Sequence, residues 1–321
     1  MCSKGNRLDW GETYLEISSF LEDKPRDCDD LCRPVLITGP TAVGKSRLAL
    51  KIAQQIGGVI INADAMQVYD AAPILTSSPS IQNQGLVPHR LYGVASPRED
   101  WSTGVWLSKT KEVLAEVKAS GRSPVIVGGV GLYFFALTGS FVEIPPIDPD
   151  IRERLRSEQS TYELQKQLAM YDPQAAMYLS PNDRVRMIRA LEVVISTGRT
   201  LKDWQTSSVM SPVISKSQAL CLRMSIDRTM LHDRINKRVD NMIESGAVRE
   251  VQSLMRLNLP PGYGVMKAIG IKPLSSYLKE EISLDQARLE AKAQTRQYAK
   301  RQETWFRHRM SDWQEVAAPT D

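Results

Sequence analysis

The run Val35-Leu36-Ile37 is apolar at every position rather than at alternate ones. A strand of that kind is buried on both faces, as in a parallel sheet lying between helices. Val59-Ile60-Ile61-Asn62 and Pro124-Val125-Ile126-Val127 share the pattern, and Ala219 to Ile226 reads as a further strand late in the chain. Between these runs, Arg47–Ala53 and Trp106–Ser120 space their apolar residues at helical intervals, the second stopping at Gly121. Strand alternating with helix predicts an α/β core on a parallel sheet.

From Ile151 to about Thr200 the pattern is helical throughout, with breaks at Asp172-Pro173 and Ser180-Pro181. Asp148 or Asp150 is placed to cap the first of these helices. The run Ile144–Pro149 marks the departure from the core, and Thr206–Ser217 reads as a polar connector back to it. The expected organisation is an N-terminal extension over 1–32, with a short helix around Trp10–Leu21, then a first core segment over 33–145. A helical insertion over 146–212 and a second core segment over 213–321 complete it. No internal repeat is visible.

The turn after the first strand reads Gly39-Pro40-Thr41-Ala42-Val43-Gly44-Lys45-Ser46, the pattern G-x-x-x-x-G-K-S. Such a loop turns backbone N–H groups toward phosphate oxygens, adds a lysine charge and places a hydroxyl for Mg²⁺. The following helix points its positive end at the same anion. This is a P-loop, and it calls for a di- or polyphosphate ligand. Ligands of parallel sheets bind beyond the carboxyl ends of the strands, where Asp64 follows the second strand and Gly128-Gly129 the third. Asp64 has three readings: a metal-associated acid, a general base, or a cap for Ala65-Met66-Gln67. Gly129-Val130-Gly131 does not extend to a dinucleotide fingerprint, because Phe134 fills the last small position.

Charge adds a direction. The net charge of +4 is small, but the first 32 residues are acidic while 288–309 carry Arg288, Lys292, Arg296, Lys300, Arg301, Arg307 and Arg309 against two glutamates. A basic C-terminal helix suits a polyanion. Arg186 and Arg189 share one helix face, suited to phosphate or to solvent. Trp305 and Phe306 read first as core anchors and second as stacking platforms for single-stranded nucleic acid. His89 reads as structural. Val125–Leu137 is too short and too glycine-interrupted to cross a bilayer, and no apolar signal segment opens the chain. Cys2, Cys28, Cys32 and Cys221 fit no paired zinc pattern, which leaves them as thiols of a reducing compartment. The expected location is the cytoplasm.

Six ordered segments together point to one family. They are the P-loop, Ile61–Tyr69, Pro88–Leu91, Val127–Phe134, Asn182–Glu192 and Thr295–Arg307. Over about residues 34–312 the chain resembles the bacterial tRNA dimethylallyltransferases, also called tRNA isopentenyltransferases. The resemblance implies a P-loop NTPase-like core with an inserted all-helical domain, the tRNA anticodon stem-loop being gripped between them. It implies transfer of the dimethylallyl group from dimethylallyl diphosphate to N6 of the adenosine 3′ of the anticodon, position 37, by a monomer using Mg²⁺. Carried over by matching position, Asp64 is the general base, with Lys45 and Arg238 as further catalytic groups. Gly39 to Ser46 bind diphosphate and Ser46 the metal. The matching tRNA contacts are Asp64, Ala65, Met66, Gln67, Val130, Arg152, Val185, Arg186, Met187, Ile188, Arg189, Lys267, Lys272, Lys300, Arg301 and Arg307. The chain departs from the family pattern at Val130, where threonine is usual, at Ala65, where serine is usual, and at Ser78, which replaces a basic residue. Competing readings are a P-loop small-molecule kinase, an adenylate isopentenyltransferase, and an RNA-binding module with a degenerate cradle.

Overall fold

A computed structural model describes residues 33–139, 141–142, 144–207, 211–260 and 263–319. The extension 1–32, its expected helix and three of the four cysteines lie outside the described residues. The chain divides into two compact units, one from the residues up to Thr138 with those from Val213 on, the other Gly139–Pro212.

The first unit opens with β1 (Val35–Thr38), α1 (Lys45–Ile56), β2 (Val59–Asn62), α2 (Pro73–Thr76), α3 (Ile81–Leu86) and β3 (His89–Arg90). It continues with α4 (Thr103–Ala119), β4 (Pro124–Val127) and α5 (Gly131–Thr138). The second unit is α6 (Pro149–Ser157), α7 (Thr161–Tyr171), α8 (Pro173–Tyr178), α9 (Arg184–Thr197) and α10 (Leu201–Ser207). The chain then returns to the first unit with β5 (Leu220–Ser225), α11 (Arg228–Ser245), α12 (Ala247–Arg256), α13 (Ile271–Leu278), α14 (Leu284–Arg309) and β6 (Gln314–Ala317).

Six parallel strands form one sheet in the order β3-β2-β4-β1-β5-β6. All four residues of β1, β2 and β4 are buried, which is why those runs carry no polar alternation. On one face Ile37, Val125, Val127 and Met224 pack against Leu48 and Ile52 of α1. This order sets the carboxyl ends of β2, β4 and β1 side by side. Asp64, the Gly128-Gly129 turn and the P-loop therefore lie along one edge. Two strands are barely legible in the sequence: β3 has two residues, and β6 buries only one of its four side chains.

Close backbone approach fixes that edge. Gly128 lies so near the end of β2 that an added Cβ would stand 2.0 Å from the Ala63 carbonyl oxygen. Asn62 bonds to the backbone of Asp64 and Leu91, and the Trp106 indole donates to the Asn62 carbonyl at 2.7 Å. Trp106 in turn stacks on Tyr133 with ring centroids 4.2 Å apart. Asn62, two residues before Asp64, is thus held through both its side chain and its carbonyl.

The outgoing chain leaves the first unit at Thr138, ahead of the expected boundary at 145. The reason is local: Ile214 N–H donates to Leu137 O at 3.0 Å, so departing and returning strands of chain adjoin there. The second unit has its own core of Leu155, Leu164, Leu168, Ala175, Met187, Ala190 and Leu191. Of the two capping candidates, Asp148 caps α6 and Asp150 sits in its first turn. Asp172, almost wholly buried, ends α7 and caps α8 through Ala175 N–H at 2.9 Å. The expected polar connector begins in a helix, since α10 runs to Ser207.

Gly128→Ala is expected to destabilise the protein by about 1–3 kcal/mol, as overpacking against a fixed backbone does. Urea denaturation of the variant beside the parent measures this; an unchanged midpoint would show that β4 and β2 part more easily than the geometry implies.

Candidate active site

The P-loop leaves β1 at Gly39 and enters α1 at Lys45. Gly44 has φ 107°, a left-handed conformation open to glycine at little cost. At a helix start the first N–H groups have no partner in the helix, so those of Lys45 and Ser46 remain for a ligand. Two other amides of the loop are already engaged. Val43 N–H donates to Pro40 O at 3.3 Å, and Thr41 N–H donates to Gln302 Oε1 at 2.8 Å. The cradle is therefore narrower than the motif alone suggests. Lys45 Nζ donates to Pro40 O at 2.7 Å. Desolvation lowers its pKa to about 7; the Asp64 carboxylate opposes that shift and the Arg238 guanidinium adds to it.

Asp64 stands at the centre of this charge cluster. Its Oδ1 accepts from Met66 N–H at 2.9 Å, in a turn rather than at a helix start. Turn stabilisation and chemistry are compatible here, because a single backbone bond leaves the second carboxylate oxygen available among the described residues. Burial first, and then the Asp64 charge, push the phenols of Tyr92, Tyr133 and Tyr298 well above their ordinary value. Arg238 is also depressed by burial, with Asp64 acting against the shift. Its Nη2 donates to Thr76 O at 3.4 Å. That carbonyl belongs to α2, whose Ile74 and Leu75 N–H groups are capped by the Glu250 carboxylate at 2.8 and 2.9 Å.

A cavity of about 270 Å³ opens beside these groups within the first unit. Thr41, Asp64, Arg238, Lys267 and Arg301 give it a polar side. Leu75, Val239, Met242, Ile243, Ala268 and Leu274 give it an apolar wall. Ala65 and Met66 also line it, so the residue where serine is usual faces the cavity with a methyl group. Ser78, at the departed basic position, bonds its hydroxyl to that of Thr76 at 3.1 Å. Val130 is partly exposed, with its N–H 3.4 Å from Ala63 O.

Of the residues carried over as tRNA contacts, Lys267, Lys272, Lys300, Arg301 and Arg307 are exposed on the first unit. Gln67 is tied inward, its Nε2 donating to Thr76 O and Ser77 O at 3.0 Å each. On α9, Val185 and Arg186 are exposed, and Arg189 is partly so. Met187 is fully buried in the helical core, and Ile188 packs against the same cluster, because the 3.6-residue period turns their side chains inward. Arg152, Arg156 and Arg189 converge on the buried Glu192 at 3.8, 3.4 and 3.5 Å, leaving a net positive cluster. Phe306 is a core anchor, as expected. Trp305 packs so close to Gly131 that a Cβ there would lie 2.1 Å from the indole. His89 bonds through Nδ1 to Val87 O and meets Tyr92 edge-on, a structural role. Tyr92 and Glu250 have no role legible in the sequence, and Tyr298 and Gln302 enter there only as members of the Thr295–Arg307 segment. Only Gln302 left a further signal, as a polar residue at helical spacing within a buried stripe.

Comparison with known proteins identifies the family. A family model described as IPP transferase matches residues 67–309, and one described as isopentenyl transferase matches 33–92. The tRNA dimethylallyltransferase of Agrobacterium fabrum is 46% identical over 281 residues, covering 87% of this chain and 94% of that protein. That of Rhizobium meliloti is 44% identical over 305 residues, covering 94% and 99%. Among solved structures, the tRNA isopentenylpyrophosphate transferase of Bacillus halodurans superposes with TM-score 0.64 at 32% identity, covering 89% of this chain and 90% of that one. A eukaryotic dimethylallyltransferase acting on tRNA gives TM-score 0.76 at 26% identity, covering 90% and 74%.

The lowered Lys45 pKa sets a pH dependence. As pH rises through about 7 the free site loses its ammonium, whereas a bound anion favours the charged form. Pyrophosphate binding should therefore take up a proton above that pH and weaken by up to about tenfold per unit. Calorimetry in two buffers between pH 7 and 9 tests this. Lys45→Arg, which stays charged, should lose the proton uptake; equal uptake by both proteins would place the titrating group elsewhere.

Proposed function

The chain belongs to the tRNA dimethylallyltransferase family, which transfers a dimethylallyl group to tRNA, and we propose that the acceptor is N6 of the adenosine at position 37. The observation that carries this reading is the placement of Asp64. It lies between the anion-binding cations Lys45 and Arg238 and a cavity with an apolar wall. A prenyl chain fits the wall, its diphosphate the cradle, and an everted adenine the polar side beside Asp64.

In the transfer, C1 of the dimethylallyl group breaks its bond to the diphosphate oxygen and forms a bond to N6. The N6 proton passes to Asp64, and diphosphate leaves. Negative charge grows on the leaving group, so cations and amides already aimed at it act most strongly in the transition state. An exocyclic adenine amine is a weak nucleophile, and a carboxylate that accepts its proton assists attack. The adenine must leave the loop stack to reach this point, at a cost of a few kcal/mol.

Among the described residues no cluster of three or more His, Cys, Asp or Glu side chains is arranged to hold a metal. The exposed Ser46 hydroxyl at the head of α1 would suit a hard cation that arrives with the diphosphate. Bound there, Mg²⁺ would neutralise charge on the leaving diphosphate. The apolar wall favours a prenyl donor over the nucleoside triphosphate of a small-molecule kinase. The exposed Lys267, Lys300, Arg301 and Arg307, with Arg152, Arg186 and Arg189 of the helical unit, favour a large polyanion over free adenylate. These residues would position the tRNA through phosphates, while splayed bases supply sequence recognition. No helix of the described residues is long and apolar enough to cross a membrane.

Single-turnover transfer from labelled dimethylallyl diphosphate to unmodified tRNA is the test. Asp64→Asn should keep tRNA affinity and lose about 10²–10⁴ in transfer rate; near-parent turnover would remove Asp64 from the chemistry. Val130→Thr, which restores a hydroxyl near the site, should raise the same rate, and an equal rate would show that Val130 carries no penalty. tRNA affinity should fall steeply with salt, as released counterions require; a flat profile would contradict the basic contact surface.

A further inference from the structure

We propose that Gln302 is a positioning residue of the reaction, a clasp by which the basic helix α14 sets the conformation of the diphosphate cradle. The proposal rests on the transfer reading above and adds a residue to it.

The inward stripe of α14 is Ala287, Ala291, Thr295, Ala299, Gln302 and Phe306, at helical spacing. Gln302 holds a place in that stripe where an aliphatic side chain would pack at less cost, since a buried amide must find partners for both its ends. It finds them on two different active-site loops. Its Oε1 accepts from Thr41 N–H of the P-loop at 2.8 Å, and its Nε2 donates to Gly129 O of the turn after β4, also at 2.8 Å. The side chain is 6% exposed. Gly129 makes room for it: a Cβ at that position would stand 2.2 Å from Nε2.

The two bonds have a chemical consequence for the cradle. Thr41 N–H is turned away from the ligand, so the anion is left to the other amides of the loop, those of Gly44, Lys45 and Ser46 among them, with Lys45 Nζ and Arg238. Gly129 O, a group that would repel a diphosphate, is likewise occupied by a donor. Arg301, adjacent in sequence, lines the cavity, and Lys300 and Arg307 lie exposed on the same helix. One helix therefore presents basic residues to solvent while its inner face fixes the loop that holds the donor. Gln302 touches neither substrate in this arrangement and acts through Thr41 and Gly129.

Gln302→Ala and Gln302→Glu separate this role from simple packing. Three quantities are read: pyrophosphate affinity by calorimetry, tRNA affinity by filter binding, and single-turnover transfer. Gln302→Ala should weaken pyrophosphate binding and slow transfer by about 10- to 100-fold, the scale of a misplaced catalytic group, with tRNA affinity within about twofold of the parent. In Gln302→Glu the carboxylate can accept from Thr41 but cannot donate to Gly129 O; only the protonated acid makes both bonds. Its rate relative to the parent should therefore recover as pH falls from about 8 toward 5.5.

Parent-like pyrophosphate affinity and transfer in Gln302→Ala would overturn the proposal. So would a Gln302→Glu to parent ratio that does not change with pH. Should Gln302→Ala fail to fold, the Gln302→Glu ratio decides alone. A parent protein that binds pyrophosphate and tRNA but transfers nothing would instead overturn the reading of the reaction on which this rests.

Discussion

The site depends on the enclosure of two cations around one carboxylate at the end of a parallel sheet. Lys45 and Arg238 are both half-buried, and burial depresses each more than Asp64 restores it. An arrangement of this kind is under-neutralised, and what it lacks is negative charge. On the proposed reading a diphosphate supplies that charge, and the transition state supplies more of it than the substrate does. Catalysis then needs little rearrangement of the protein at the moment of reaction.

The fold serves this cluster through backbone contacts more than through side-chain bulk. The order β2-β4-β1 is what brings Asp64, Gly128-Gly129 and the P-loop to one edge. Gly128 lets β4 approach Ala63, Gly129 admits Gln302, and Gly131 admits Trp305. Behind these, Trp106 holds the end of β2, and Glu250 caps the short helix whose Thr76 carbonyl meets Arg238. The polar residues that surround the cluster are tied to backbone groups, which fixes them without adding further charge to a crowded site.

The central strands and the cradle were legible in the sequence because they obey local rules. Continuous apolar runs mark buried parallel strands, and G-x-x-x-x-G-K-S fixes a loop between strand and helix. The edge strands β3 and β6 were not, since two residues or one buried side chain give no periodicity to read. The Thr138 exit was hidden because it is set by a bond between Leu137 and Ile214, far apart in sequence. Met187 illustrates a different limit: a motif carries a whole helical turn, whereas only part of that turn faces outward. Tyr92, Tyr133, Tyr298 and Glu250 act across long sequence separations, where neither spacing nor composition speaks, and Gln302 shows in the sequence only as a polar residue within a buried helical stripe. The assignment of Asp64 as a base came from the family resemblance, and the geometry supplies its physical rationale.

The most direct measurement of the central claim is nucleoside mass spectrometry of unmodified tRNA incubated with the purified protein, dimethylallyl diphosphate and Mg²⁺. The account predicts one isopentenyl group on N6 of the adenosine following the anticodon, formed with release of diphosphate. Unaltered tRNA under conditions where both ligands bind, or an adduct at another atom, would contradict it.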